Sequence, residues 1–157
     1  MKIKLLVVGK TDHKGLQAMI SEYEKRLRHY IKFELEVIQA LKTTKNMSVT
    51  EQQDKEGEAI LSKITSSDMM ILLDEQGKQF SSVDFAKHLQ KLMNAGTRQL
   101  VFVVGGPYGF SNAVHLRAQE KMSLSLMTFS HQMVRLFFVE QLYRGFTILR
   151  NEPYHHQ

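Results

Sequence analysis

Two segments, DMMILLD from Asp68 to Asp74 and the run from Gln99 to Val104, carry apolar residues at consecutive positions rather than at alternate ones. A strand of that kind has no face left for water, so it belongs inside a parallel sheet covered by helices above and below. The rest of the chain supplies those covers. Ile3 to Val8 reads as a β-branched and aliphatic strand. It is punctuated by Gly9 and followed by a helical pattern in Leu16, Met19, Ile20, Tyr23, Leu27 and Tyr30. Phe33, Leu35 and Val37 alternate with Lys32, Glu34 and Glu36, the period of a half-exposed strand.

After a polar loop, KTTKNMS, Ser48 and Glu51 stand at capping-box spacing and open a second helix that is expected to reach Ile64. EQGKQF after the first apolar run reads as a turn. Ser81 or Ser82 caps a third helix through Ala95, and Gly96 sits where a helix C-cap belongs. Ser111 opens a short helix to Gln119, MSLSLMTF alternates like a strand, and His131 to Leu149 forms the last helix. Strands and helices alternate from end to end, which predicts an α/β fold with a mainly parallel sheet flanked by helices. At 157 residues the chain is long enough for one sizeable core and too short for two, so residues 1–157 are expected to form a single domain.

Composition then narrows the chemistry. The chain has no Cys, which excludes disulfides, thiolate metal sites, iron–sulfur clusters and covalent Cys catalysis. A formal net charge of +5 favours a polyanionic partner, nucleic acid first. The apolar run Leu5 to Val8 is too short for a signal peptide, and no stretch approaches a membrane span, so a cytoplasmic location with no membrane partner is expected. The terminal histidines have no spaced acidic or His partner, and no metal is expected.

GGPYG, Gly105 to Gly109, lies directly after a buried strand and before a capped helix, where open α/β sheets take their ligands. It matches neither GxGxxG nor the P-loop, so dinucleotide and NTP readings lose their main support; turn glycines alone would also explain it. Leu73 ends the neighbouring strand, and both strand ends are expected to meet LSLMTF in one pocket. In the last helix Met133, Val134, Leu136, Phe137, Phe138, Val139, Leu142, Tyr143 and Phe146 fall on nearly all sides. That pattern predicts a subunit interface, most simply a two-fold homodimer, with Phe138 as its test position. Arg135 and Arg144 on this helix, with Arg26 and Lys10, are expected to hold an RNA backbone. The spacing of Glu140 and Arg144 equally suits a helix-stabilising ion pair, and the cluster around Arg26 equally suits a solvated helix end.

VVGK followed by YEKRL, LLDEQGK, FVVGGPYG, LSLMTFSHQMVRLFFVEQLYRGF and the terminal PYHH together resemble the SPOUT methyltransferases that act on large-subunit ribosomal RNA, over the whole length. The resemblance implies a trefoil knot in the C-terminal part, a homodimer, and S-adenosylmethionine as methyl donor to N3 of pseudouridine 1915 in 23S rRNA. It implies cofactor contacts at Leu73, Gly105, Gly106, Leu124, Ser125, Leu126, Met127, Thr128 and Phe129. RNA contacts are expected at Lys10, Arg26, His131 and Arg135, and catalytic roles for Tyr154, His155 and Arg144, with the tail closing over the cofactor pocket. Two departures stand out: Ser130 replaces a Pro, which is expected to loosen the loop before the last helix, and His156-Gln157 replaces a fixed terminal charge. Removal of an imide proton needs positioning and a nearby base rather than a metal or a Cys. A non-catalytic RNA-binding module and an enzyme for another adenine nucleotide are the competing readings.

Overall fold

A computed structural model describes residues 1–156; Gln157 lies outside the described residues. Five strands, β1 (Lys2–Val8), β2 (Lys32–Ile38), β3 (Met69–Gln79), β4 (Gln99–Val104) and β5 (Glu120–Ser123), form one parallel sheet in the order β2-β1-β4-β3-β5. The helices are α1 (Lys14–Leu27), α2 (Val49–Leu61), α3 (Ser82–Asn94), α4 (Asn112–Arg117) and α5 (Met133–Leu149). Neighbours along a strand point into different cores. Ile3, Leu5 and Val7 with Phe102 join Phe85, Leu89, Phe138 and Leu142 under α1, α3 and α5, whereas Leu6, Val101 and Val103 join Ile60 and Val114 under α2 and α4. This is why the two apolar runs could not alternate with polar residues.

The faces follow from handedness. The crossovers through α1 and α3 step one way along the sheet and those through α2 and α4 step the other way. Right-handed connections must then place the two pairs on opposite faces, as the two cores show. The steps from β3 to β4 and from β4 back across β3 to β5 reverse direction above the C-terminal ends of these strands. Such a reversal opens a crevice between diverging loops.

Local signals hold at several boundaries. Ser48 and Glu51 form a reciprocal capping box, Ser81 caps α3 through Asp84 N, and Gly96 adopts a φ of +77° just past the helix end. Five expectations need correction. The EQGKQF segment is not a free turn: β3 continues through Gln79, with the register against β5 shifting between Leu73 and Lys78. The β5 strand stops at Ser123, so Leu124 to Phe129 are loop rather than strand, with Leu126 and Met127 in solvent. The helix α2 ends at Leu61 instead of Ile64, and α5 begins at Met133 instead of His131. Finally, α5 is largely covered by its own chain: the sheet lies beneath it and α1 and α3 supply its flanking neighbours, so Phe138 is 0% exposed and belongs to the core.

Candidate cofactor pocket

A cavity of about 670 Å³ opens above the C-terminal ends of β3, β4 and β5. Its walls include Leu73, the loop from Gly105 to Gly109, and Leu124, Ser125, Met127, Thr128 and Phe129. The three segments expected to meet do meet. Leu126 is the exception among the expected contacts, since it does not line the cavity and is strongly exposed.

The glycines of the loop serve different ends. Gly109 alone has a left-handed φ, +78°, and its N–H donates to Gly106 O at 3.1 Å to close the turn. At Gly105 and Gly106 the missing side chain provides room: a Cβ on Gly105 would stand 3.0 Å from the Phe110 ring, and one on Gly106 would stand 2.4 Å from Glu56 Oε2. The missing Cβ atoms let Phe110 and Glu56 pack closely against the loop. Gln53 Nε2 donates to Tyr108 O at 2.7 Å and ties α2 to the same loop.

The lining charges run against the net charge of the protein. Asp74 and Glu75 face the cavity with His115 and His131, and among the described residues no Lys or Arg lines it. Gln76 N donates to Asp74 Oδ1 at 2.9 Å, and Thr128 Oγ1 donates to Glu75 Oε2 at 3.0 Å, which joins the extended part of β3 to the loop after β5. An acidic cavity with glycine walls suits a cationic ligand and repels a triphosphate. Among the described residues no group of three or more His, Cys, Asp or Glu side chains is placed to hold a metal.

The residues expected to bind RNA divide. His131 lines the cavity, whereas Lys10 does not; the Lys10 carbonyl accepts from Gln132 Nε2 at 2.9 Å. Arg26 lies elsewhere, on α1, paired with Glu22 and placed over the rings of Tyr23 and Tyr143. Arg135 contradicts its expected role. It is 0% exposed, and its guanidinium donates to Val8 O, Gly9 O, Thr11 Oγ1 and His131 O at 2.8–3.0 Å. It therefore ties the end of β1 to the start of α5 and presents no charge to a phosphate. Burial lowers its pKa from the usual guanidinium value, against a smaller opposing pull from Asp12.

Arg144, Tyr154 and His155 do come together, but away from the cavity, and none of them lines it. Arg144 pairs with Glu140 at 2.5 Å, lies over the Tyr154 ring, and approaches His155 Nδ1 at 3.4 Å. Tyr154 donates to Glu140 Oε1 at 3.0 Å and stands 3.1 Å from Tyr23 Oη. Burial, then its bonds to Tyr23 and Glu140, pushes the Tyr154 hydroxyl well above the ordinary phenol range, so it remains a hydrogen-bond donor at neutral pH. The ten residues of α5 between Val134 at the cavity and Arg144 rise about 15 Å, so the tail does not close over the pocket of its own chain. Ser130 also departs from expectation, because its hydroxyl accepts from Met133 N at 3.1 Å and steadies the entry to α5.

With this geometry in view, the comparisons are specific. The family model described as "Predicted SPOUT methyltransferase" matches residues 1–155. The chain belongs to the SPOUT methyltransferase family. Proteins named ribosomal RNA large subunit methyltransferase H from Flavobacterium johnsoniae and Flavobacterium psychrophilum are each 66% identical to it, and one from Parabacteroides distasonis is 57% identical, all over the full length of both chains. A solved structure of a probable methylase family protein from Haemophilus influenzae Rd KW20 superposes with a TM-score of 0.55 at 14% identity, covering 99% of this chain and 70% of that one, and shares the fold. Glu56 and Gln53, which brace the Gly-rich loop, escaped the sequence reading. They sit about 50 residues from that loop in an ordinary polar helix, and only a carboxylate on the buried side of α2 hinted at them.

Proposed function

We propose that this chain is an S-adenosylmethionine-dependent methyltransferase of large-subunit ribosomal RNA, acting on N3 of pseudouridine 1915 of 23S rRNA in the cytoplasm. The observation that carries the reading is the acidic, glycine-walled cavity at the strand ends, in a basic chain whose full-length relatives are named for methylation of that RNA. The cofactor supplies an activated methyl group on a sulfonium. Around it, Leu73, Gly105, Gly106, Leu124, Ser125, Met127, Thr128 and Phe129 would bind and orient, and Asp74 and Glu75 would favour its positive charge. Lys10, Arg26 and His131 are proposed to hold the RNA backbone; Arg135 is not.

The proposed reaction also draws on groups outside the cavity of one chain, toward the other end of α5. Phe129, Met133 and Phe137 are partly exposed beside the cavity, with the Phe129 and Phe137 rings 5.1 Å apart. Pairing of two copies across this patch is proposed to bring Arg144, Tyr154 and His155 of one protomer to the cavity of the other. There Tyr154 donates to or stacks on the base, and His155 takes or relays the imide proton. The C-terminal knot of the family belongs to the same proposal, and tracing the main chain in a crystal structure checks it.

The test is calorimetric titration with S-adenosylmethionine, ATP and NAD, followed by methyl transfer to ribosomes, subunits and naked rRNA from a strain lacking the enzyme. Binding of S-adenosylmethionine alone and modification at a single pseudouridine are expected. Tight binding of ATP or NAD, or no transfer to any of the three substrates, would sink the reading.

A further inference from the structure

Glu56 is a buried carboxylate with half of its bonding left undone. It is 5% exposed; Oε1 accepts from Gln52 Nε2 at 3.0 Å, and Oε2 is sealed from solvent with no hydrogen-bond partner among the described residues. That free oxygen points at Gly106, where a Cβ would come within 2.4 Å of it, and Gly106 is part of the cavity wall. The close approach is built in: the next residue, Gly57, would place a Cβ 2.3 Å from Ser111 Oγ at the cap of α4, so α2 lies directly behind the loop. On the cavity side the titratable groups are Asp74, Glu75, Tyr108, His115 and His131, and among the described residues no Lys or Arg is there to balance Glu56.

A buried carboxylate without a counter-charge costs free energy, and a ligand that brings positive charge next to it recovers part of that cost. The ligand pair of a methyl-transfer reaction differs in this respect. Transfer breaks the bond between the sulfonium sulfur and its methyl carbon, forms the bond from that carbon to the imide nitrogen, releases the imide proton to the base, and leaves a neutral thioether. We propose that Glu56 is a specificity-determining residue that reads the charge of the cofactor, favouring the cationic donor over the neutral thioether product and so promoting exchange after each turnover. The inference rests on the proposed cofactor.

The experiment compares affinities of the unaltered protein, Glu56→Gln, Glu56→Asp and Gln53→Ala for three ligands. These are S-adenosylmethionine, its demethylated thioether S-adenosylhomocysteine, and sinefungin, which carries an amine in place of the methylsulfonium. Glu56→Gln, of equal size but neutral, is expected to weaken the two cationic ligands at least about fivefold while changing the thioether by less than about twofold. Glu56→Asp keeps the charge and is expected to keep the ratio, which covers the case in which the Gln variant does not fold. Gln53→Ala removes a neutral loop anchor and is expected to weaken all three alike. An unchanged donor-to-thioether ratio in Glu56→Gln, or loss of the ratio in Glu56→Asp, overturns the inference while leaving the cofactor reading intact. If the unaltered protein binds none of the three, the cofactor reading itself fails and takes the inference with it.

Discussion

Arg135 shows how far one side chain's meaning depends on where its charge ends up. In the sequence it is a basic residue one turn after His131 on a helix of a basic protein; in the fold it is the largest fully buried side chain, spent on four backbone and hydroxyl acceptors. Replacing it with Met leaves those acceptors without donors at the junction of β1 and α5, and a loss of about 3 kcal/mol is expected in denaturant unfolding. The salt dependence of RNA binding by the folded variant should keep its slope, whereas removal of a true phosphate contact lowers that slope by roughly 0.7–0.9. Phe138 carries a similar lesson. Packed at a tilt against Phe102 with 4.6 Å between ring centroids, it is a core residue, so Phe138→Glu should yield unfolded protein and cannot report on assembly.

At the scale of elements, the extended β3 and the pair β1–β2 make separate predictions. A Cβ on Gly77 would fall 2.5–2.7 Å from backbone atoms of Lys121 and Met122, atoms that cannot step aside as a side chain would. Gly77→Ala is therefore expected to cost about 2–3 kcal/mol and to weaken cofactor binding, because it pushes β5, and the cavity loop that follows it, away from the extended part of β3. A variant as stable as the parent would show that β3 and β5 separate freely here. Glu36 on β2 accepts from Lys4 at 2.5 Å and from Lys63 at 3.0 Å, and these bonds, Lys4 first, hold its carboxyl below the ordinary 4.5. A carboxylate with a depressed folded-state pKa stabilises above its unfolded value and loses that contribution as pH falls through the folded one. The stability difference between the parent and Glu36→Gln should hence be constant at neutral pH and shrink progressively below about 4.5, as read by urea midpoints across that range.

At the scale of the whole molecule, the proposed reaction requires the two ends of α5 to be brought together. The cavity lies at one end, the cluster of Arg144, Tyr154 and His155 at the other. Pairing across the patch containing Phe137, which is 41% exposed, is the proposed solution. Phe137→Glu should give a folded monomer by light scattering, with methyl transfer lost; a dimeric variant would move the interface elsewhere. Deleting Tyr154 through Gln157 should lower turnover at least about a hundredfold with cofactor affinity nearly intact, and normal turnover would show the tail to be uninvolved.

What could be read from the chain alone was whatever neighbours within a few positions decide. Unbroken apolar runs imply a sheet buried on both sides, Ser48 with Glu51 and Ser81 with Asp84 set helix starts, and Gly96 marks a helix end, since each depends on bonds spanning about four residues. The order of strand and helix also brought Leu73, GGPYG and the loop after β5 to one place, because parallel strands put their C-terminal ends on the same side. Tertiary structure alone decided that Arg135 is interior, that Glu56 stands behind Gly106, that β3 runs on past Leu73, and that the tail rests on α1 and α5. These contacts reach as far as 127 positions for Arg135 with Val8 and 131 for Tyr23 with Tyr154. A local pattern cannot encode them, because which polar group is buried depends on what packing brings opposite it.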